Sequence, residues 1–303
     1  MRKVNIALAI LVLLIGVPWY WLLIDNQPGD AQPKPVTIAQ LRALAASLPG
    51  PAPSAIERES PAFRRLPGAL FAAGTGIKRT QIGVVAYRLT VPGGKPILID
   101  SGLTRRDADE MGMEFYDPQS QARIESALRQ AGLVLITHEH LDHQGALVDI
   151  GGAVLGEAAR LNAGQLPPAP LAATLRWRNG AVPKPRITGT VPLAVAPGVV
   201  VIPAPSHTPG SQMIFVRLAD GRELLFAGDI ATVRRSWSEI RARSRLVGDW
   251  LAPEDRGEVY AWLRTIAELK RQAPGLVVVP GHDLPWLNHS VEARLIRRSF
   301  GHT

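Results

Sequence analysis

The sequence predicts an α/β protein of the α+β kind: a sandwich of mixed β-sheet covered by helices, carried behind an N-terminal transmembrane helix. Three observations predict it. Apolar runs of strand length gather early and late in the chain, with helical periodicity between them. With 303 residues and 46% hydrophobic content, the chain holds enough apolar material for one large core. The stretch from Val4 to Ile24 is apolar in a way that nothing later repeats.

That stretch follows Arg2 and Lys3, is broken only by Asn5, Gly16 and Pro18, and carries Trp19, Tyr20 and Trp21 near its end. About 20 apolar residues cross a bilayer as a helix. Aromatic rings suit the membrane interface, and positive charge on the short side holds that end in the cytoplasm. Residues 1–26 therefore read as an uncleaved inner-membrane anchor, with the rest of the chain on the periplasmic, extracytoplasmic side. The alternative is a signal segment whose cleavage releases a secreted protein. From 27 to 62, Pro28, Pro33, Pro35, Pro49, Pro51, Pro53 and Pro61 predict an extended spacer. Within it Thr37 caps a short helix with Ile38, Leu41, Ala45 and Leu48 on one face. Residues 63–303 are left for the catalytic domain.

In that domain Gly83–Val91 and Pro96–Asp100 read as strands of a hairpin around Pro92-Gly93-Gly94. Asp117-Pro118 opens a helix with Ile124, Ala127 and Leu128 at helical spacing, and the strand Leu133–Thr137 follows. Val199–Ile202 is a buried-type strand, and Gln212–Leu218 with Arg222–Ala227 flank an Asp220-Gly221 turn. A helix from about Glu254 to Gln272 puts Val259, Trp262, Leu263, Ile266 and Leu269 on one stripe, and Pro274-Gly275 stops it before strand Leu276–Val279.

The chain has no cysteine, so a metal would be held by His and carboxylate alone. A net charge of +8 without a long Lys/Arg block does not call for nucleic acid, and a small molecule is the expected substrate. Oligomeric state leaves no mark in the sequence. The segment Thr137-His138-Glu139-His140-Leu141-Asp142-His143 packs several potential ligands behind a strand. Two more histidines lie in turn motifs, Ser206-His207-Thr208-Pro209-Gly210 and Pro280-Gly281-His282-Asp283. A lone histidine is ordinarily a hydrogen-bonded core or surface residue. Five of the seven in these motifs make coincidence a poor account, whereas His289 and His302 have no such context and read as structural.

The pattern His-x-His-x-Asp-His, then His207 in HTPGS, Asp229 in Phe226-Ala227-Gly228-Asp229 and His282 in PGHD, resembles the metallo-β-lactamase superfamily. The resemblance implies a four-layer αβ/βα sandwich with two mixed sheets and metals at its edge. Carried over by position, it implies that His138, His140 and His207 bind one metal, that Asp142, His143 and His282 bind a second, and that Asp229 bridges them. Two divalent ions, zinc foremost with manganese or iron(II) as alternatives, would acidify a bridging water into the attacking hydroxide. Asp142 is implied to shuttle a proton as well. Asp100, in Ile99-Asp100-Ser101-Gly102, resembles the family's carboxylate that supports the metal loop, and Glu139 occupies its variable position, pointing away.

True β-lactamases of the superfamily typically lack the bridging Asp, and one subclass uses a Cys ligand. Asp229 with HTPGS is more similar to the glyoxalase II and acyl-homoserine-lactone lactonase branches, which cleave thioesters and lactones. The chain departs from the lactonases in having Ile230-Ala231-Thr232-Val233 where they place a Tyr. The expected activity is hydrolysis of a carboxyl derivative: lactone, ester or thioester. Alternatives are β-lactam hydrolysis, a phosphodiesterase or nuclease, and last a non-catalytic metal-stabilised binding protein. Met111, Met113, Phe115 and Tyr116 offer an adaptable wall for an acyl chain, with core packing the plainer reading. Arg234, Arg235, Arg241, Arg243 and Arg245 could hold a carboxylate or phosphate, with a solvated face or anionic lipid as the alternative.

Overall fold

Short apolar and β-branched runs form the strands that organise the domain. In the computed structural model, which describes residues 2–301, these are β1 (Ala55–Pro67), β2 (Arg79–Thr90), β3 (Ile97–Ile99), β4 (Phe115–Tyr116), β5 (Leu133–Leu135), β6 (Leu193–Ala196), β7 (Val199–Pro203), β8 (Gln212–Arg217), β9 (Glu223–Phe226), β10 (Val277–Val279) and β11 (Arg297–Arg298). The α-helices are α1 (Arg2–Trp19), α2 (Ile38–Ala45), α3 (Arg105–Glu110), α4 (Pro118–Gln130), α5 (Leu141–Ile150), α6 (Gly152–Leu155), α7 (Arg234–Ser238), α8 (Arg256–Gln272) and α9 (Leu284–Glu292).

The strands make two mixed sheets. One runs β11-β1-β2-β3-β5 with β4 also paired to β1; the other runs β10-β9-β8-β7-β6. In the first, β2 is antiparallel to β1 and β3, while β5 joins β3 in parallel. In the second only the β10–β9 pair is parallel. Between the sheets Tyr87, Leu89, Ile99 and Leu135 meet Val201, Ile214, Val216 and Phe226. On the outer face of the first sheet α4 and α5 bring Ile124, Leu128 and Leu147 against Leu98 and Val134. On the outer face of the second, α2 and α8 bring Leu41, Leu263 and Ile266 against Val200, Ile202 and Phe215. Each such side chain stabilises the fold by about 1.5–3 kcal/mol when fully buried. The result is the αβ/βα sandwich that the resemblance implies.

Ahead of it, α1 and the turn Tyr20–Ile24 form one helical segment, Arg2–Ile24, of 23 residues with none of them buried. It is long and apolar enough to cross a membrane, spanning roughly 35 Å at 1.5 Å per residue.

The stretch 27–62 is more than a spacer. Thr37 caps α2 as expected, its hydroxyl accepting from Gln40 N at 3.2 Å, and Ile38, Leu41 and Ala45 dock on the second sheet, while Leu48 lies beyond the helix end and is exposed. The strand β1 begins inside this stretch. Its charged run Glu57-Arg58-Glu59 hides a core strand because the carboxylates are paired, Glu57 with Arg88 at 2.6 Å and Glu59 with Arg123 at 2.6 Å, while Arg58 donates to Ser60 Oγ and Asn288 Oδ1 at 2.5 Å. Pro61 is tolerated because the β1–β2 register shifts between Glu59 and Ala62, a bulge that spares a ladder hydrogen bond.

Glu59 fastens two segments to β1. Its buried carboxylate accepts from Arg123 and Ser120 of α4 and from Ser299 Oγ and Phe300 N beyond β11, at 2.6–3.0 Å. Burial would raise its pKa, but these donors outweigh burial and hold it below the usual value. Glu59→Ala is expected to lower the unfolding free energy by about 3 kcal/mol, measured by urea denaturation of the full chain in detergent. Because the folded pKa is depressed, the wild-type advantage is full at neutral pH and shrinks as pH falls below about 4.

Candidate metal centre

Every candidate ligand leaves the end of a strand. From β5 the chain passes Ile136 and Thr137 to His138; His140 sits at the N-cap of α5, and Asp142 and His143 occupy its first turn. His207 follows β7, Asp229 lies in the 3-10 turn Gly228–Ala231 after β9, and His282 joins β10 to α9. All seven come together in two groups, His138, His140, His207 and Asp229, and Asp142, His143 and His282, with the donor atoms of each group within 4.8 Å of one another.

In the first group His140 Nδ1 lies 2.9 Å from His138 Nε2 and 3.3 Å from His207 Nε2. In the second, His143 Nε2 and His282 Nε2 are 3.1 Å apart, and Asp142 Oδ2 is 3.5 Å from His282 Nε2. Asp229 spans the two. Its Oδ1 is 2.9 Å from His282 Nε2 and 3.7 Å from His143 Nε2, while Oδ2 is 3.8 Å from His207 Nε2.

The outward ring nitrogens are held. Those of His143, His282 and His207 are all Nδ1 atoms, 2.9 Å from Asp100 Oδ2, 2.8 Å from Gly83 O and 2.9 Å from Glu254 Oε2 respectively. This is how a protein aims imidazole at a cation, since the outer partner fixes the ring and its tautomer. Asp100 also accepts from Thr137 N at 2.7 Å, and it does so from a left-handed backbone at φ 61. Glu139 does point away: its carboxylate accepts from Thr208 Oγ1 at 2.7 Å and Gly210 N at 3.2 Å, tying the His138 loop to the His207 loop.

The donor set fits a pair of divalent cations. Inward nitrogens converge on one another and on Asp229, and buried Asp229 Oδ1 has no well-aligned hydrogen-bond donor. Burial, reinforced by neighbouring imidazoles, holds His138 well below its usual pKa and pushes His140 down to about 3; burial and Arg243 lower His207. These rings are neutral at pH 7, as a metal ligand must be. Burial also opposes charge on His143 and His282, but the carboxylates around them win, pushing His143 up to about 9 and raising His282. Two glycines keep the site tight. Gly228 has φ 51 and sits where a Cβ would come within 2.9 Å of Thr137 Cβ, and a Cβ on Gly281 would collide with Asp229 Oδ1.

A cavity of about 560 Å3 opens over the groups, with His140, Asp142, Asp229 and His282 in its wall. The remaining wall is mainly apolar, with Leu66, Phe71 and Ile82 on one side and Leu175, Val247 and Leu251 on another. Met111 and Met113 line it, whereas Phe115 stacks on Phe63 at 5.2 Å and Tyr116 packs in a small core cluster.

Two residues that no motif marked complete the site. Glu254 orients His207 across 47 positions of sequence and is fully buried. Arg243 is buried, donates to Asp229 Oδ2 and lies 3.2 Å from Thr232 Oγ1. Its neighbours in the Arg run are used elsewhere: Arg235 and Arg241 on Glu239, and Arg245 on Asp25. His289 is exposed beside Glu292, away from the site, and His302 lies outside the described residues.

Two mixed sheets between helical layers, with a His/Asp cluster at their strand ends, define a metal-site αβ/βα sandwich. The family model of the metallo-beta-lactamase superfamily matches residues 79–282, and the chain belongs to that superfamily. It is 33% identical over 110 residues to a metal-dependent hydrolase of Cupriavidus necator, an alignment covering 36% of this chain and 33% of that protein, so it spans about a third of the curated relative. Among solved structures, an N-acyl homoserine lactone hydrolase with its product N-hexanoyl-L-homoserine at the catalytic metal centre is similar with a TM-score of 0.59 and 14% identity, over 78% of this chain and 96% of that one. A probable metal-dependent hydrolase from Staphylococcus aureus gives 0.54 and 14%, over 78% and 91%. These likenesses establish the fold.

The two groups should differ in proton coupling. At pH 7 His143, pushed up to about 9, carries a proton that a cation must displace, whereas the rings of His138, His140 and His207 are already neutral. Calorimetric titration in buffers of different ionisation enthalpy is expected to show release of about one proton for one binding event and almost none for the other. Affinity at the coupled site should weaken as pH falls from about 9 to 6 while the other stays level.

Proposed function

We propose that the chain is a dinuclear-metal-dependent hydrolase, with zinc as the expected ion, that cleaves a lactone, ester or thioester of an apolar acyl group. One observation supports the reading: two His/Asp groups with Asp229 between them reach, through His140, Asp142, Asp229 and His282, a mainly apolar cavity large enough for a small substrate. His138, His140 and His207 would hold one ion, Asp142, His143 and His282 the other, with Asp229 between them. Bound there, two cations supply Lewis acidity for the carbonyl and lower the pKa of water toward neutrality.

The chain's own residues do the rest. Leu66, Phe71, Ile82 and Val247 hold the acyl portion and exclude water around the carbonyl. The Asp142 carboxylate, kept ionised by His143 and His282 against its burial, faces the cavity and is placed to carry a proton to the departing oxygen or sulfur. Arg243 holds the Asp229 carboxylate in the orientation that divides its oxygens between the groups. Water adds across the acyl C–O or C–S bond, leaving a carboxylic acid and an alcohol or thiol. The product named in the similar lactone hydrolase structure is of this kind. Phosphodiester cleavage ranks second, because the ion pairs of Arg235, Arg241 and Arg245 leave little of the Arg run for phosphate.

The proposal includes an uncleaved inner-membrane anchor over Arg2–Ile24 with the domain on the periplasmic side. Its support is the wholly exposed apolar helix, and an intact mass lacking the first residues would contradict it.

The metal-loaded full chain is expected to hydrolyse acyl lactones, esters or thioesters in a panel that also holds β-lactams and phosphodiesters; turnover of phosphodiesters alone would overturn the reading. Asp142→Asn should lower kcat by roughly 10²–10⁴-fold, with the larger loss on alkyl esters, whose leaving oxygen most needs a proton, than on aryl or thio esters. Metal content measured on the same samples separates loss of an ion from loss of the proton carrier.

A further inference from the structure

The foot of the N-terminal helix is clasped by two segments, and the same segments form part of the wall of the catalytic cavity. In the first, Gly74 N donates to Leu23 O at 2.8 Å, and Leu70 and Phe71, a few residues earlier, line the cavity. In the second, Ile240 O accepts from Asn26 at 3.0 Å, and Arg245 pairs with Asp25 at 2.8 Å and lies over the Trp21 ring at 5.3 Å. That second segment also carries Arg243 onto Asp229 and contributes Val247 and Leu251 to the cavity. The segments are bonded to each other, Arg241 to Ala73 O at 2.7 Å and Ala73 N to Ala242 O at 2.9 Å. Asn26 is further held by Tyr260 at 2.7 Å. The helix is therefore joined to the domain by the cavity wall itself.

Apolar side chains stand exposed on the same two segments: Ile77 at 65%, Trp250 at 67% and Leu251 at 70%, the last also lining the cavity. From Arg245, under Trp21, to Leu251 the chain is little more than one π-helical turn, at most about 9 Å along its axis. The headgroup layer on each side of a bilayer is about 5–8 Å deep. With Trp19, Tyr20 and Trp21 as the interfacial belt, a rim this close to Trp21 is within reach of the headgroup layer.

We infer that the cavity opens onto the bilayer surface, with Trp250 and Ile77 resting in the interface, and that the substrate is an amphiphile whose acyl chain partitions into the membrane. Its ester, lactone or thioester carbonyl enters from headgroup level, and hydrolysis adds water there to release an acid and an alcohol or thiol. This rests on the proposed hydrolase reading and on the uncleaved anchor. Continuity with the helix makes the lipid surface the occupant of the exposed apolar patch, because any other partner would have to displace the bilayer next to Trp21.

The absence of cysteine permits a direct test. Full chains carrying Trp250→Cys or Asp220→Cys are labelled with an environment-sensitive fluorophore in phosphatidylcholine/phosphatidylglycerol nanodiscs. Asp220 lies in the β8–β9 turn, at the far end of β9 from Asp229. The label at 250 should be quenched by lipids bearing nitroxide high on the acyl chain, and the label at 220 should not. In parallel, Trp250→Ser with Ile77→Ser should slow hydrolysis of a long-chain acyl ester in the disc roughly 10-fold, with a water-soluble short-chain ester changed by about 2-fold or less. An unquenched label at 250 in a chain that stays with the membrane after carbonate washing overturns the inference while the anchor stands. Release by carbonate overturns the anchor. Equal losses on both esters make Trp250 and Ile77 structural and overturn the entrance, and quenching without turnover of either ester overturns the substrate class.

Discussion

Packing seven titratable side chains against one another, five of them buried, is the constraint on which the rest of the molecule depends. Isolated charges or unpaired polar groups in a core cost several kcal/mol each unless partners compensate them. The fold meets this from outside the cluster. Asp100, Gly83 O and Glu254 each take the outer nitrogen of a ligand histidine, and Arg243 takes an oxygen of Asp229. The left-handed backbone at Asp100 and Gly228 lets strand ends turn sharply enough to bring these atoms together. Without cations the inward donors still face one another, which is why the arrangement reads as a metal centre rather than a polar core.

Much of this was legible in the sequence because it is local. The three histidines and Asp142 behind β5 lie within a handful of residues, and the turn motifs around His207, Asp229 and His282 are compact. The strands β2, β7, β8 and β9 announced themselves by apolar runs and turn residues, as α8 did by its stripe. What stayed hidden depends on tertiary pairing. Glu254 sits in the loop before α8, and nothing nearby tells that it meets His207. Arg243 is one of several arginines, set apart only because its neighbours find Glu239 and Asp25. In β1, buried charges and Pro61 disguise a core strand, since their partners are on other elements.

Substrate access follows from the same architecture. The loops that leave the strand ends carry the ligands, and two nearby segments, around residues 68–74 and 240–251, join the cavity wall to the base of the N-terminal helix. Arg243, Arg245 and Leu251 lie within one short stretch, which touches Asp229 and Asp25 and forms part of the cavity wall.

The central claim is that Asp229 joins two ligand groups into one dinuclear centre. X-ray absorption on the metal-reconstituted full chain tests it most directly, read together with the number of ions bound. Two ions per chain, histidine-rich ligation and clear scattering from a neighbouring metal ion are the predicted result. A single ion per chain, or two with no metal–metal scattering, would contradict it.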